Sequence, residues 1–450
     1  MTSDRTPGGL AARLDRDGVE HLWVVYTDYN GRSQGKSVPR SRFAGTEAKG
    51  ITFAKANLGH GLRDHSPADT AFAADSGDFF AVPDPEALNP YPLMPDTARV
   101  ICWMREEGGD PWDGCPRTML QRQVVALAAR GLGVQAAFEP EGYFFRLDGL
   151  TADGGAAPLS HRGMFSIAAL DEQAEVLHAI SDMLEGMGVA VEQVAAEWAP
   201  GQFEVNLKHD APMRAADNLV TTKDVVRAIA RRHGLVATFM PKFSEQMGGC
   251  GLHVHLSLTD LEGASVSEGE GHPSGLSDLG QGFLAGILAH GRALVGVGSP
   301  TANSYKRLQP GSWAPAHAAY AIANRSSLVR IPGGRRRRVE FRSGDNLSNP
   351  YLFLAALLAA GLDGMERGLP LGAPAEGDLG MLDPGALARQ GVALLPRRAN
   401  EALDAVEADP VVMAALGPVI GPEWLRVKRF ELAEYETTVS EWERDTYLRG

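Results

Sequence analysis

The chain has 450 residues, 44% hydrophobic and 22% charged, a balance that supports a folded core and excludes wholesale disorder and fibrous repeats. Forty-three basic residues against 56 acidic ones leave a net charge of −13, so no general nucleic-acid or anionic-membrane partner is expected. Cys102, Cys115 and Cys250 make neither a disulfide framework nor a zinc spacing, the N-terminus has no apolar signal core, and no run reaches the roughly 18 apolar residues of a membrane span; a cytoplasmic protein is expected.

Residues 1–17 are polar and contain glycine, which predicts a flexible arm. HLWVVYTDYNGRSQGKSVP then reads as strand, Asn30-Gly31 turn and strand, a hairpin signal. Short apolar runs broken by turn signals such as Pro83-Asp84-Pro85 and Asn89-Pro90 continue to about residue 105, as in a small, mainly β domain. GDPWDGCPR (109–117) is a connector, and Pro116 opens a helix that Gly131 can close. Segments 171–188 and 214–234 have helical periodicity and end at glycine. Between and after them lie strand-like segments at 134–145, 202–207, 251–258 and 337–342. Helices and strands without a regular βαβ rhythm predict an α+β fold, an antiparallel sheet with helices on its outer side. Segments 262–281 and 369–380 read as loops, and the last fifty residues as amphipathic helices.

The charges within those strands are informative, because residues two apart share a face. Glu139 and Glu141 fall together, as do Glu204 and Asn206, His253 and His255, and Arg338, Glu340 and Arg342. The alternating positions carry Phe203, Val205 and Leu207, Leu252, Val254 and Leu256, and Val339 and Phe341. Two interpretations of the polar face stand at this point. One is ordinary solvation. The other notes that four strands repeat Glu, His and Arg with no lysine at these positions, a donor set suited to Mg²⁺ or Mn²⁺ beside arginines that grip phosphate. The second describes metal-assisted phosphoryl transfer. Phosphate loops of the GxGxxG and GxxxxGK[ST] kinds are absent. The run Arg335–Arg338 is either a solvated loop or a phosphate contact, and Cys250 reads as a small packed residue.

The ordered segments FEPEGYFF, EWAPGQFEVN, ATFMPKF, GLHVHLSL, NSYKRLQPG, NRSSLVRIP, RVEFRSGDNLSNPYL and SEWERDTY resemble the glutamine synthetase family, over roughly residues 18 to 450. GDFFAVPDP resembles the end of that family's N-terminal β-grasp domain. The resemblance implies a β-grasp domain over 18–108 and a catalytic domain over 109–450 whose curved antiparallel sheet holds ATP, glutamate and two divalent metals. It makes Glu141, Glu197 and Glu204 ligands of the glutamate-side metal, and Glu139, His253 and Glu340 ligands of the ATP-side metal. Arg307 and Arg342 resemble the arginines that hold glutamate's carboxylates, with Glu141, Gly249 and His253 also on the substrate side. Arg325, Arg330 and Arg338 resemble those facing the transferred phosphate and the nucleotide, whose site Glu192, His255 and Ser257 line. The implied reaction phosphorylates glutamate's γ-carboxylate from ATP, and an amine then attacks the acyl phosphate.

The sequence departs from the family pattern where ammonia-using members carry PG-x-E-AP. Here the segment is Pro310-Gly311-Ser312-Trp313-Ala314-Pro315, and Trp313 stands where the family has a glutamate that binds ammonium and deprotonates the attacking nitrogen. Indole has one N–H and no basic nitrogen, but offers an aromatic face to carbon or to a cation. Gly248-Gly249 stands where Asn-Gly is frequent, and Asp64, fourteen residues before Asp78, matches an aspartate that reaches an adjoining subunit's amine site. No tyrosine lies between Tyr351 and Tyr435, so control by tyrosine adenylylation is not expected. The expectation is a glutamate–amine ligase whose acceptor is larger than ammonia, of the polyamine or ethanolamine type, in a homo-oligomer, a dodecamer by family likeness. The alternatives are glutamine synthesis from ammonia and a catalytically silent glutamate- or glutamine-binding regulator.

Overall fold

The computed structural model describes residues 9–151, 155–334 and 337–448. The first strand, β1 (His21–Thr27), buries Leu22, Val24 and Tyr26 and returns through Asn30-Gly31 into antiparallel β2 (Ser33–Pro39), with Thr27 opposite Ser33. Asp28 fixes the turn: its carboxylate accepts from the backbone N–H of Asn30 at 3.0 Å and of Arg32 at 2.9 Å. Gly31 has φ 73°, and a Cβ there would stand 2.5 Å from the Ser348 carbonyl, so only glycine allows both the turn and the approach of the C-terminal part of the chain. With β3 (Ile51–Ala54), β4 (Asp78–Pro90) and β5 (Thr97–Arg105) these strands form a five-stranded sheet in the order β2-β1-β5-β4-β3.

The expected flexible arm is corrected over residues 10–16. They form helix α1 (Leu10–Arg16), with Leu10 and Leu14 buried, while residues 1–8 lie outside the described residues. Two leucines four apart make one helical contact face, enough to dock about two turns although much of the segment is polar. Helix α2 (Phe43–Lys49) meets it, Glu47 accepting from the N–H of Leu10 at 2.7 Å.

The second sheet holds β6 (Leu132–Arg146), β7 (Val191–Ala196), β8 (Gln202–Leu207), β9 (Leu235–Thr238), β10 (Leu252–Asp260), β12 (Tyr320–Ile322), β13 (Val329–Ile331) and β14 (Val339–Phe341). Its order is β12-β13-β14-β10-β6-β8-β7, with β9 also on β6; β11 (His317–Ala318) pairs separately with β15 (Ala393–Leu394). Among these pairs only β12–β13 is parallel. Outer helices α3 (Pro116–Ala128), α4 (Ile167–Gly186) and α5 (Pro212–Arg232) match the helical segments of the sequence, and Pro116 begins α3. Past α6 (Asp278–Ala289), α7 (Gly291–Gly298) and α8 (Ser304–Arg307) comes α9 (Pro350–Glu366), which is buried nearly all round and therefore shows no amphipathic stripe in sequence.

A buried polar network pins the two sheets' supports together. The Arg117 guanidinium on α3 donates to Asp84 of β4 at 2.9 Å and to Asp217 of α5 at 2.8 Å, and the Tyr351 hydroxyl donates to Asp217 at 2.6 Å. The charges are out of water and compensated, the arrangement in which removing one partner is costly.

Candidate active site

The strand register carries the polar face of the second sheet into one row. His253 on β10 lies opposite Glu139 on β6, and Glu141 on β6 lies opposite Glu204 on β8. On the other side His255 pairs with Glu340 on β14, and Glu340 with Arg330 on β13. Cross-strand neighbours stand about 5 Å apart at Cβ, so side chains from five strands meet. Glu197 joins them from the turn after β7: its backbone N–H is held by the Gln202 carbonyl at 2.9 Å.

Three overlapping groups of donor atoms result, one of them Glu139, Glu204 and His253. Glu141, Glu197 and Glu204 bring carboxylate oxygens within 4.8 Å of one another. Further along the row, His253 Nδ1 is 3.4 Å from Glu139 and 3.8 Å from Glu340, and His255 Nε2 is 2.9 Å from Glu139. That last contact lies off hydrogen-bond geometry, leaving a buried imidazole nitrogen without a hydrogen-bond partner. Glu139, His255 and Glu340 also form a ligand-like triad, so His255, expected on the nucleotide side, stands beside the metal donors as well.

The electrostatics divide the row in two. Burial and then repulsion from Glu141 push Glu197 up to about 7, and push Glu204 well above the usual carboxylate range. Burial acts the same way on Glu139 and Glu340, but there it is overcome. His253 and His255 hold Glu139 well below the usual range, and Arg342, the two histidines and Arg330 bring Glu340 down to about 2. Glu340 is ion-paired to both Arg330 and Arg342. A cluster of carboxylates that repel one another in a buried place lacks a positive charge, and oxygen donors of this kind fit a hard divalent ion.

Around this row lies a cavity of about 930 Å³. Glu139, Glu141, Glu197, Glu204, His253, Glu340, Gly249, Arg307, Arg325, Arg330, Arg342 and Trp313 all line it. The Arg307 guanidinium donates to the carbonyls of Arg342, Ser343 and Gly344 at 2.9–3.0 Å. A Cβ at Gly249 would meet Arg307 Cγ at 2.6 Å, and one at Gly251 would meet the guanidinium at 2.6 Å, which explains the glycines before β10. Cys250 between them is fully buried, its thiol pushed well up by burial, as packing.

Other expected residues lie elsewhere. Ser257 and Arg338 continue the same side of the sheet without lining the cavity; Arg338 donates to His255 Nδ1 at 3.0 Å. Glu192, expected on the nucleotide side, is exposed and does not line this cavity; the β7–β8 pairing shifts register between Val191 and Gln193, and Gln193 lines the cavity. Asp64 is exposed at φ 58°, paired with Arg32 at 2.8 Å and outside the cavity. Arg335 and Arg336 of the arginine run lie outside the described residues.

Sequence reasoning missed Phe165, Trp198 and Glu245, which also line the cavity. Trp198 follows Glu197 directly, so its position was available from the sequence; Phe165 and Glu245 come from loops with no periodic signal. Trp313 and Phe165 take φ values of 59° and 56°, costing of order 1–3 kcal/mol each, a strain met at ligand sites. Trp313 is 63% exposed, Phe165 55% and Trp198 46%.

Residues 113–447 match the family model described as glutamine synthetase, catalytic domain. The chain belongs to the glutamine synthetase family. It is 35% identical to the glutamine synthetase of Halobacterium salinarum over 97% of this chain and 95% of that protein. The Thermus thermophilus glutamine synthetase is also 35% identical, over 98% and 99% respectively. Among solved structures, "GmaS/ADP complex-Conformation 1" superposes with a TM-score of 0.86 at 32% identity, over 98% of this chain and 99% of that one. "Crystal structure of novel glutamine synthase homolog" gives 0.82 at 30%, over 94% and 96%. The fold is therefore glutamine synthetase-like, and the chain is a ligase of a family that uses ATP, divalent metals, glutamate and a nitrogen donor. None of the described helices is long and apolar enough to cross a membrane.

Raised carboxylates give a signed expectation. Folded Glu197 and Glu204 retain protons that the unfolded chain releases near pH 4.3, so metal-free stability falls as pH rises from there through about 7. Mg²⁺ should raise the melting temperature more at pH 8 than at pH 6, and Glu204→Ala should blunt that gain. Glu204→Ala and His253→Ala should each cut ATP-dependent phosphate release at least about a hundredfold with a native circular-dichroism spectrum. Near-normal turnover in both variants contradicts the assignment.

Proposed function

We propose that this protein ligates the γ-carboxylate of glutamate to a primary amine larger than ammonia, of the polyamine or ethanolamine type, through a γ-glutamyl phosphate. The observation that carries the acceptor is Trp313, which occupies the family's ammonium-site glutamate position and lines the same cavity as Glu197. Together with Phe165 and Trp198 it gives that cavity three exposed aromatic side chains, suited to the carbon portion of an amine and, through their faces, to its charge.

In this proposal Glu141, Glu197 and Glu204 hold one divalent ion, and Glu139, His253 and Glu340 hold the other, with His255 in reach of the second. Bound there, the ions would neutralise charge on phosphoryl and carboxylate oxygens. Arg325 and Arg330 line the same cavity and supply positive charge to the transferred phosphoryl group; Arg330 and Arg342 are both engaged by Glu340 and reach the phosphoryl or carboxylate by exchanging that partner. Arg307, fixed by three carbonyls, presents its remaining donor capacity and the Gly249 backbone to the amino acid. Phosphorylation turns a poor leaving oxygen into phosphate, after which the neutral amine attacks the acyl carbon, forming the C–N bond and expelling phosphate. The attacking nitrogen's proton goes to a carboxylate: Trp313 cannot accept it, and Asp64 of an adjoining subunit is the proposed acceptor. Asp64 is exposed on a loop and does not line its own chain's cavity, which supports this sharing. A ring oligomer, a dodecamer by family likeness, is required; full activity in a sedimenting monomer would contradict it. A cytoplasmic setting, ATP and Mg²⁺ or Mn²⁺ complete the proposal.

An amine panel with ATP, Mg²⁺ and glutamate, followed by phosphate release and product mass, tests the acceptor. Burying about 60 Å² of alkyl surface against indole at about 25 cal/mol per Å² is worth about 1.5 kcal/mol, or roughly tenfold in rate for a suitable amine over ammonia. Trp313→Glu should lower use of that amine by a similar factor. Wild-type turnover with ammonia equal to that with every amine returns the chain to glutamine synthesis, the activity named for its curated relatives.

A further inference from the structure

A second cavity, of about 460 Å³, lies between the two sheets' supports, where β1 and β2 face α5; it shares no lining residue with the first. Four cationic side chains, Lys36, Arg99, Arg227 and Arg231, line it against one acid, Asp224, in a chain whose net charge is −13. One oxygen of that acid is engaged. Asp224 accepts from Arg99 at 2.7 Å and from the Ser33 hydroxyl at 2.6 Å, and Arg99 gives its other terminal nitrogen to Thr221 at 2.6 Å. Lys36 donates to the Thr52 carbonyl at 2.7 Å.

Arg227 and Arg231, one turn apart on α5, have no hydrogen bond or ion pair among the described residues. The Arg227 guanidinium lies 5.1 Å over the Phe239 ring, with the Asp224 carboxylate as its nearby charge of opposite sign. Burial lowers the Arg227 pKa; the Asp224 carboxylate opposes that shift in part and Arg231 adds to it. The opposite wall is apolar: Trp23 and Tyr91 stand 4.7 Å apart at an interplanar angle of 49°, next to buried Met187. Guanidinium groups one helical turn apart match the span of a carboxylate or phosphate, and an aromatic lining favours carbon over water.

We propose that this cavity is a second ligand site, taking a small organic anion whose carboxylate or phosphate pairs with Arg227 and Arg231 while its carbon skeleton packs on Trp23 and Tyr91. Carboxylate and phosphate sources share this recognition and are separated by the probes. Calorimetric titration of the full-length protein with succinate, AMP and inorganic phosphate, at fixed ionic strength, is the test. At least one organic anion should bind with Kd below about 1 mM, and R227Q/R231Q should weaken it at least about tenfold with basal phosphate release unchanged. AMP is titrated with the first cavity saturated by a non-hydrolysable ATP analogue, and AMP binding that then survives in R227Q/R231Q counts against the proposal. Trp23→Ala should weaken the organic anions more than inorganic phosphate. If the double variant melts early, Arg231→Glu at the exposed end of α5 makes the same comparison. No saturable binding by any probe up to about 10 mM, or equal affinity in wild type and the arginine variants, overturns the site.

Discussion

Three carboxylates in contact within a buried row are the constraint on which the rest of this structure turns. Glu141, Glu197 and Glu204 repel one another, and burial removes the water that would moderate the repulsion. A fold under selection for stability alone would replace them with Val or Leu, as it does on the opposite faces of the same strands. Their persistence at one end of the row, with Glu139 and Glu340 satisfied by imidazole and guanidinium at the other, gives the cavity a polarity. One end is anionic and lacks a cation. The other is a compensated mixture of Glu, His and Arg.

The surrounding architecture keeps that row in register. Gly31 and the glycines before β10 are places where backbone approaches backbone or Arg307 more closely than any Cβ permits. Asn346 donates to the Glu141 carbonyl at 3.0 Å and to the Gly251 carbonyl at 3.1 Å, tying β6 to the start of β10, and Lys223 of α5 donates to the Asn346 carbonyl at 2.7 Å. The hairpin joins the same framework through Asn349, which donates to the Asp28 carbonyl at 2.7 Å and caps α9 with its side-chain oxygen. The N-terminal sheet is thus bonded to the catalytic framework by specific polar contacts.

Much of this was legible in the sequence because a period of two is hard to disguise. QFEVNL and LHVHLSL show polar and apolar alternation directly, and their strands begin and end within two residues of the expected bounds. What adjacency the strands would take was not legible from alternation; the resemblance supplied it. That Gln193 and not Glu192 lines the cavity was not legible, because the register shift between Val191 and Gln193 leaves no mark in hydrophobic periodicity. Phe165 escaped notice because its loop carries no period, and α1 because two leucines in a polar segment look like nothing until something packs on them. Trp313 was legible for a different reason: it breaks a motif, and its place on the cavity wall is what a changed acceptor requires.

The central claim is that the carboxylate and imidazole row exists to hold two divalent cations. Equilibrium titration of the protein with Mn²⁺, with free ion followed by electron paramagnetic resonance, measures this without any turnover. Two ions per chain are expected in the wild type. Glu197→Gln should remove one and Glu340→Gln the other, each leaving the remaining site occupied. A wild-type protein that binds no Mn²⁺ at millimolar concentration, or binds it equally well in both variants, would contradict the account.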